Sequence, residues 1–468
     1  KKMNIELSNN QEIVSVIGLG FVGAATAVAI ANAKDSSGEN QFHVIGIDAP
    51  TPQGIERIKS INRGEFPFIT VDSKLKSALT NAIKNDNLFA TEKKDALKKS
   101  SITLVCVNLD VNESNGHVSV DLTNMKEIIR ELGYNMPSGS LIIIQTTVPP
   151  GTCIEIFEPI IKDCLKERKL PENDILLAHS YERVMPGKNY LDSIVNFWRV
   201  YSGNISKAAD KCNNFLSKII NVEKYPLTRL DSTTASETAK VLENSYRAVN
   251  IAFIEEWSKF SEDIGVDLFH VIDAIRLRPT HSNIMYPGFG VGGYCLTKDP
   301  LLGMVAAEEI VDTAEKSFPF SSQAVKTNND MPLNTFDKLK KIIGGSFEEK
   351  KLMLLGVTYR EDIGDTRNSP AEVFVSKVIE EGAEIFLHDP LINYWAEMDM
   401  KISQELPMPS AFDAVIFTVA HSFYRELDII NWIGGSNVNI VDANNVLTEK
   451  QRQSLYKSKS FIYSVGRG

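Results

Sequence analysis

The run Gly288-Phe289-Gly290-Val291-Gly292-Gly293-Tyr294-Cys295-Leu296-Thr297-Lys298-Asp299-Pro300 delivers one thiol behind four glycines. Glycines let the backbone bend tightly and come close to a ligand, and loop amides can stabilise charge. A cysteine placed so is a candidate nucleophile. Locally, the same residues also describe a tight loop holding an ordinary buried cysteine. Asp299 before Pro300 has the form of a helix N-cap with proline in the first turn, a structural role compatible with a catalytic one.

Three other groups could serve chemistry. Lys240 and Asn244 stand four apart in a helical run and share a face, where an ammonium and an amide could hold a developing oxyanion. The alternative is a solvated lysine and a helical asparagine. Gln145-Thr146-Thr147-Val148-Pro149-Pro150-Gly151-Thr152 follows a buried strand, so its hydroxyls lie at the carboxyl edge of a sheet or merely cap the next helix. Glu182, in Tyr181-Glu182-Arg183-Val184, could be a general base at the same edge, or half of a surface pair with Arg183.

Gly18-Leu19-Gly20-Phe21-Val22-Gly23 follows a strand and opens a helix, the arrangement that cradles a pyrophosphate. Asp48 closes the second strand, where a carboxylate accepts hydrogen bonds from ribose hydroxyls and repels a 2′-phosphate. NAD is therefore expected over NADP. As a plain turn residue before Ala-Pro-Thr-Pro, Asp48 would do neither.

The elements that must position these groups alternate. Strands are expected at 12–18, His43 to Asp48, Ile102 to Val107, Leu141 to Thr146, Ile175 to Ala178 and Trp198 to Tyr201, with a helix from Phe21 to Ala33. Lys93, Lys94, Lys98 and Lys99 read as a solvated helix face. One long helix runs from about Ser232 to Asp263, and helical sequence continues to about Asn329. A second unit follows, with strands at Lys351–Gly356, Glu384–Asp389, Ala414–Val419 and Val438–Asp442 and a helix over Pro370–Glu381. The fold class is α/β: two Rossmann-like doubly wound domains joined by a long central helix and a helical middle domain. The expected divisions are 1–225, 226–330 and 331–468, in a chain of 468 residues.

A formal net charge of -10 argues against coating nucleic acid or binding an anionic membrane. The five cysteines are odd in number, scattered and without CxxC spacing, which suits free thiols in the cytoplasm and neither a disulfide scaffold nor a zinc site. The apolar stretch from Ile13 to Ala33 mimics a signal or spanning segment, but its glycines and lack of a stop-transfer flank favour strand, turn and buried helix.

Seven motifs in order make the chain resemble the UDP-glucose/GDP-mannose dehydrogenase family. They are Gly18–Gly23, Asn62-Arg63-Gly64-Glu65, Thr146–Thr152, Glu182-Arg183-Val184, Lys240–Asn244, Gly290–Asp299 and Gly364-Asp365-Thr366-Arg367. The resemblance implies a four-electron oxidation of a nucleotide sugar at C6. Cys295 would be the nucleophile, Lys240 and Asn244 the oxyanion holders, Thr147 and Asp299 the positioners of water, and Glu182 an actor in thioester hydrolysis. NAD would lie on Gly18, Gly20, Phe21, Val22, Gly23, Asp48, Thr147 and Arg367. The UDP-sugar would meet Glu182, Arg183, Val184, Lys240, Asn244, Tyr286, Gly290, Gly292 and Arg360, with Arg360 toward its phosphates. Otherwise Arg360 and Arg367 are surface arginines near Asp362 and Asp365. Related enzymes associate through the long helix, so a homodimer or higher homo-oligomer is expected.

The sugar stays open within the resemblance. Val291 and the Glu182-Arg183-Val184 triplet resemble members that oxidise UDP-N-acetylhexosamines, and this is the expected substrate class. Lys298 resembles the UDP-glucose type, Tyr294 replaces a histidine common in the amino-sugar group, and Tyr181 stands where proline is usual. A UDP-glucose 6-dehydrogenase, a two-electron 3-hydroxyacid-type dehydrogenase and a non-catalytic NAD-binding regulator are the alternatives.

Overall fold

The strand Glu12–Ile17 takes the middle of the first sheet because its interior residues are apolar or small and are buried on both faces. Its one polar interior residue, Ser15, is satisfied by the Ser100 hydroxyl at 2.6 Å. In the computed structural model, which describes residues 11–114, 117–313, 317–458 and 460–468, this strand pairs in parallel with Phe42–Ile47 on one side and Ile102–Val105 on the other.

The chain divides into two compact units, Lys1–Leu242 with Leu301–Ser317, and Glu243–Pro300 with Phe318–Gly468. The first holds an eight-stranded sheet in the order Thr228–Arg229, Val200–Gly203, Leu176–His179, Leu141–Ile144, Ile102–Val105, Glu12–Ile17, Phe42–Ile47, Leu88–Thr91. Chain order reverses between Glu12–Ile17 and Ile102–Val105, which opens a crevice at their carboxyl ends. Apolar clusters fill both faces of the sheet. The helix Phe21–Ala31 is buried from Gly23 to its end, so its uniform apolarity belongs to a core helix. Among the described residues no helix is long and apolar enough to cross a membrane.

Alternating strands and helices call for a parallel sheet, and one pair departs from it: Val200–Gly203 runs antiparallel to Leu176–His179. The intervening chain contains only the short helix Asp192–Val195, and an antiparallel neighbour needs no long crossover. Leu88–Thr91, Thr228–Arg229 and the hairpin Val111–Ser114 with His117–Val120 were not anticipated. Each is two to four residues long, too short to show a period. The predicted solvated lysine face is a 3-10 segment, Lys94–Lys99, whose apolar residues Ala96 and Leu97 turn inward.

The second unit contains a fully parallel five-stranded sheet ordered Glu384–His388, Lys351–Leu355, Ala414–Phe417, Asn439–Asp442, Ile462–Ser464. Pro370–Glu380 starts with Ser369 as N-cap and packs its apolar face on this sheet. The long helix Thr233–Asp263 has 31 residues and contributes its first ten to the first unit. Its later part exposes Tyr246, Phe253, Trp257 and Phe260. Pro319–Ile342 is the second long helix.

Candidate active site

The glycine motif sits at the crevice of the first sheet. Gly18 has φ +89°, and a side chain on it would press on the Cys106 carbonyl. A Cβ on Gly23 would fall 1.8 Å from the Gly18 oxygen, so helix and turn pack without a spacer. Gly20, by contrast, faces open space at the head of Phe21–Ala31, and no side chain caps that helix. A helix start without a side-chain cap, beside an open glycine, suits a pyrophosphate. Phe21 and Val22 are half-buried there, with Phe21 stacked on Phe68 at 3.9 Å.

Asp48 is held firmly. It accepts the Leu19 amide at 3.2 Å and the Ala49 amide at 2.8 Å, and Arg57 forks onto it at 2.7 and 3.1 Å. Arg57 had no place in the sequence expectation. It lies nine residues on, in the helix Pro52–Asn62, and only the fold turns it back. Its charge offsets part of the repulsion Asp48 alone would exert on a phosphate. These residues fit NAD, whose adenosine ribose Asp48 and Arg57 would meet. Asn62, in the second motif, serves the framework: its amide exchanges two 2.8 Å bonds with Ala90.

The candidate groups divide between the units. In the first, Lys240 Nζ donates to the Glu182 carbonyl at 2.8 Å and stands 5.3 Å from the centre of the Tyr181 ring. Tyr181, odd against the resemblance, is thus a support for the ammonium. The Glu182 carboxylate is buried, accepts the Val184 amide and interacts with buried Arg199. Arg183 turns away, bonded to the Trp198 carbonyl at 2.9 Å and to the Tyr181 hydroxyl at 3.3 Å. No Glu182–Arg183 surface pair forms among the described contacts. Of the two threonines, Thr146 spends its hydroxyl on the Val107 carbonyl at 2.8 Å, whereas half-buried Thr147 makes no side-chain hydrogen bond among the described residues.

The first unit also contains a residue the sequence reading passed over. Glu237, three before Lys240, is fully buried and accepts the Gly151 amide at 2.6 Å and the Cys153 amide at 2.9 Å. The signal was available as a third polar position on the Lys240–Asn244 face.

In the second unit the cysteine loop is braced on several sides. Asn328 bonds Val291 through both its oxygen and its nitrogen, at 2.8 and 2.7 Å. Asn368 donates to the Gly293 carbonyl at 3.0 Å. Gly293 has φ +81°, and a Cβ on Gly292 would lie 2.2 Å from the Asn368 carbonyl, so neither position admits a side chain. Gly290, at φ +110°, packs on Pro370. Cys295 emerges exposed, whereas Cys106, Cys153, Cys164 and Cys212 are buried. Burial raises the thiols of all four, that of Cys212 to about 12. The ordinary buried cysteine is therefore not what this loop holds.

Asp299 is wholly buried and shared: Lys298 reaches one oxygen at 2.7 Å and Asn244 the other at 2.7 Å. The Asp299 amide in turn bonds the Cys295 carbonyl at 2.8 Å. Arg247, one turn beyond Asn244, interacts electrostatically with Cys295 and Arg360 and was not foreseen. Arg360 contacts Glu361 at 3.7 Å. The fork of Arg367 is taken by Asp365, at 3.0 and 2.8 Å. Asp362 accepts from the Ser422 amide at 2.9 Å and from its hydroxyl at 2.6 Å. Tyr286 stacks on Phe269 at 5.5 Å and donates to Asp273 at 2.5 Å. No cluster of metal-ligating side chains occurs among the described residues.

A Rossmann-like sheet carrying this cradle is the architecture of NAD-dependent dehydrogenases. The chain belongs to the UDP-glucose/GDP-mannose dehydrogenase family: the family's NAD binding domain matches residues 12–219, its central domain 234–330 and its UDP binding domain 353–449. It is thus an NAD-dependent nucleotide-sugar dehydrogenase. The UDP-N-acetyl-D-mannosamine dehydrogenase of Methanocaldococcus jannaschii is 31% identical over 97% of this chain and 96% of its own. The NDP-N-acetyl-D-galactosaminuronic acid dehydrogenase of Ralstonia nicotianae is 26% identical over 89% of this chain and 92% of its own. Among solved structures, the UDP-D-ManNAc dehydrogenase of Pyrococcus horikoshii superposes with a TM-score of 0.78 at 26% identity, covering 97% of this chain and 99% of that one.

Proposed function

We propose that this enzyme oxidises the C6 alcohol of a UDP-N-acetylhexosamine to the uronate, with the N-acetylmannosamine sugar as first candidate. The observation that carries the reading is Cys295, an exposed thiol on a braced glycine loop in a chain whose other four thiols are buried. The names of the relatives support the amino sugar.

NAD, when bound, supplies the hydride acceptor for both oxidations. Lys240, held by the Glu182 carbonyl and the Tyr181 ring, would steady the C6 alkoxide as the alcohol becomes an aldehyde. Cys295 Sγ would then add to that aldehyde, and Asn244 would hold the thiohemiacetal oxygen. After the second oxidation, a water set by Thr147 and Asp299, with Glu182 as base, would cleave the thioester to carboxylate and free thiol. Arg360 and Arg247 are available to the substrate diphosphate and Arg367, shared with Asp365, to the cofactor. Arg183, Val184, Tyr286, Gly290 and Gly292 complete the proposed sugar contacts.

The work divides over residues 1–225 for NAD, 226–330 for association and 331–468 for the nucleotide. The exposed Tyr246, Phe253, Trp257 and Phe260 give the long helix an apolar stripe for a second copy of the chain. Five free thiols suit the cytoplasm.

The test is NADH release from UDP-N-acetylmannosamine, the glucosamine and galactosamine epimers, UDP-glucose and GDP-mannose. About two NADH per sugar are expected, and turnover absent in C295A. One NADH per sugar, or wild-type rate in C295A, would refute the covalent route.

A further inference from the structure

We propose that Glu237 is a positioning residue that keeps Thr147 and Lys240 in register, by pinning the turn after Thr147 to the helix that carries Lys240. This rests on the reading that Thr147 and Lys240 serve the chemistry.

The first turns of the long helix are fastened to three segments at one edge of the first sheet. Ser236 meets His179 Nδ1 at 2.7 Å and Ser202 Oγ at 2.6 Å, at the ends of two strands. Lys240 reaches the Glu182 carbonyl. Glu237 takes the third segment, the turn at Gly151, with one carboxylate oxygen for each of two amides. Those amides open the helical stretch from Cys153 to Glu167, where an anion is electrostatically favoured.

A carboxylate with no solvent exposure is costly, and burial raises Glu237 to about 7 although both amides oppose the rise. An apolar side chain would fill the space but orphan the two amides. The turn also cannot absorb a shift. Gly151 has φ +95°, its missing Cβ would press on Val311, and Pro149 and Pro150 fix φ between it and Thr147. Movement at Gly151 is therefore passed to Thr147.

E237Q keeps the shape, leaves one amide an acceptor and sets an NH2 against the other. In the full-length chain, with a nucleotide sugar it turns over, kcat is expected to fall about tenfold while the melting temperature stays within about 3 °C. Hydrogen exchange over the segment with Gly151 and Cys153 should quicken about tenfold. Wild-type kcat, or unchanged exchange, overturns the proposal. If E237Q does not fold, E237D, with the charge kept and the reach shortened, takes the same two measurements under the same criteria. T147V runs in parallel: a wild-type kcat there sinks the role of Thr147 in the chemistry, while the exchange result still decides whether Glu237 holds the turn.

Discussion

Asn244 donates its side-chain amide to Asp299 at 2.7 Å, tying the long helix to the turn that presents Cys295. Lys298 occupies the other carboxylate oxygen, so both oxygens of the buried Asp299 are engaged. Asn244→Ala removes one tether and leaves a buried carboxylate oxygen unmatched, a loss of about 1–3 kcal/mol in stability. Turnover should drop further than that figure implies, by about a hundredfold, because the proposed oxyanion donor goes too. Urea melts and steady-state rates on the same sample check both. An unstable variant with normal kcat would reduce Asn244 to a brace.

Lys240 is bonded to the Glu182 carbonyl and faces the Tyr181 ring, away from the glycine motif in sequence. Lys240→Ala should lower kcat by about two to three orders of magnitude and leave NAD affinity within about threefold. Titration of NAD by protein fluorescence separates the two. Equal losses in affinity and rate would make Lys240 structural.

Asp48 carries an arginine partner, which changes how cofactor choice should respond to mutation. Asp48→Asn removes a charged acceptor for the ribose and frees the Arg57 fork. NAD should bind about tenfold more weakly and NADP more tightly than before, because a phosphate can then meet the guanidinium. Dissociation constants for both cofactors in D48N and in D48N/R57A decide it. NADP gain that survives loss of Arg57 would contradict this account.

His179 gives the fold an acid limit. Burial, then the charge on Lys240, pushes its imidazole down to about 3 from an ordinary 6.5. The folded chain keeps it neutral while the unfolded chain takes up a proton below 6.5. Its stability contribution is therefore complete above 6.5 and drains away as pH falls toward 3. Between pH 6.5 and about 5 the loss from this group is roughly 2 kcal/mol. His179→Gln should show a correspondingly flatter decline in denaturant melts over that range. Parallel declines in the two proteins would mean that other groups carry the acid sensitivity.

Long elements were legible because hydrophobic period and glycine punctuation accumulate with length. Thr233–Asp263 and the strand–glycine–helix unit at Glu12–Ala31 were placed within two residues. Val200–Gly203 was located but not its direction, since strand orientation depends on what the intervening chain does in space. The brief strands Leu88–Thr91 and Ile462–Ser464 exist through pairing, and nothing local announces them.

The sequence by itself determined the family, the cofactor, the order of the motifs and the identity of the thiol loop, because each rests on residue types at fixed short spacing. Only the tertiary structure decided that Cys295 is exposed and its four counterparts buried, that Arg57 returns to Asp48, and that Glu237 pins the turn beyond Thr147. Those relations join residues 9 to 86 apart in the chain, or depend on solvent. Burial and long-range hydrogen bonds are properties of packing, and no local pattern encodes which polar group will meet which.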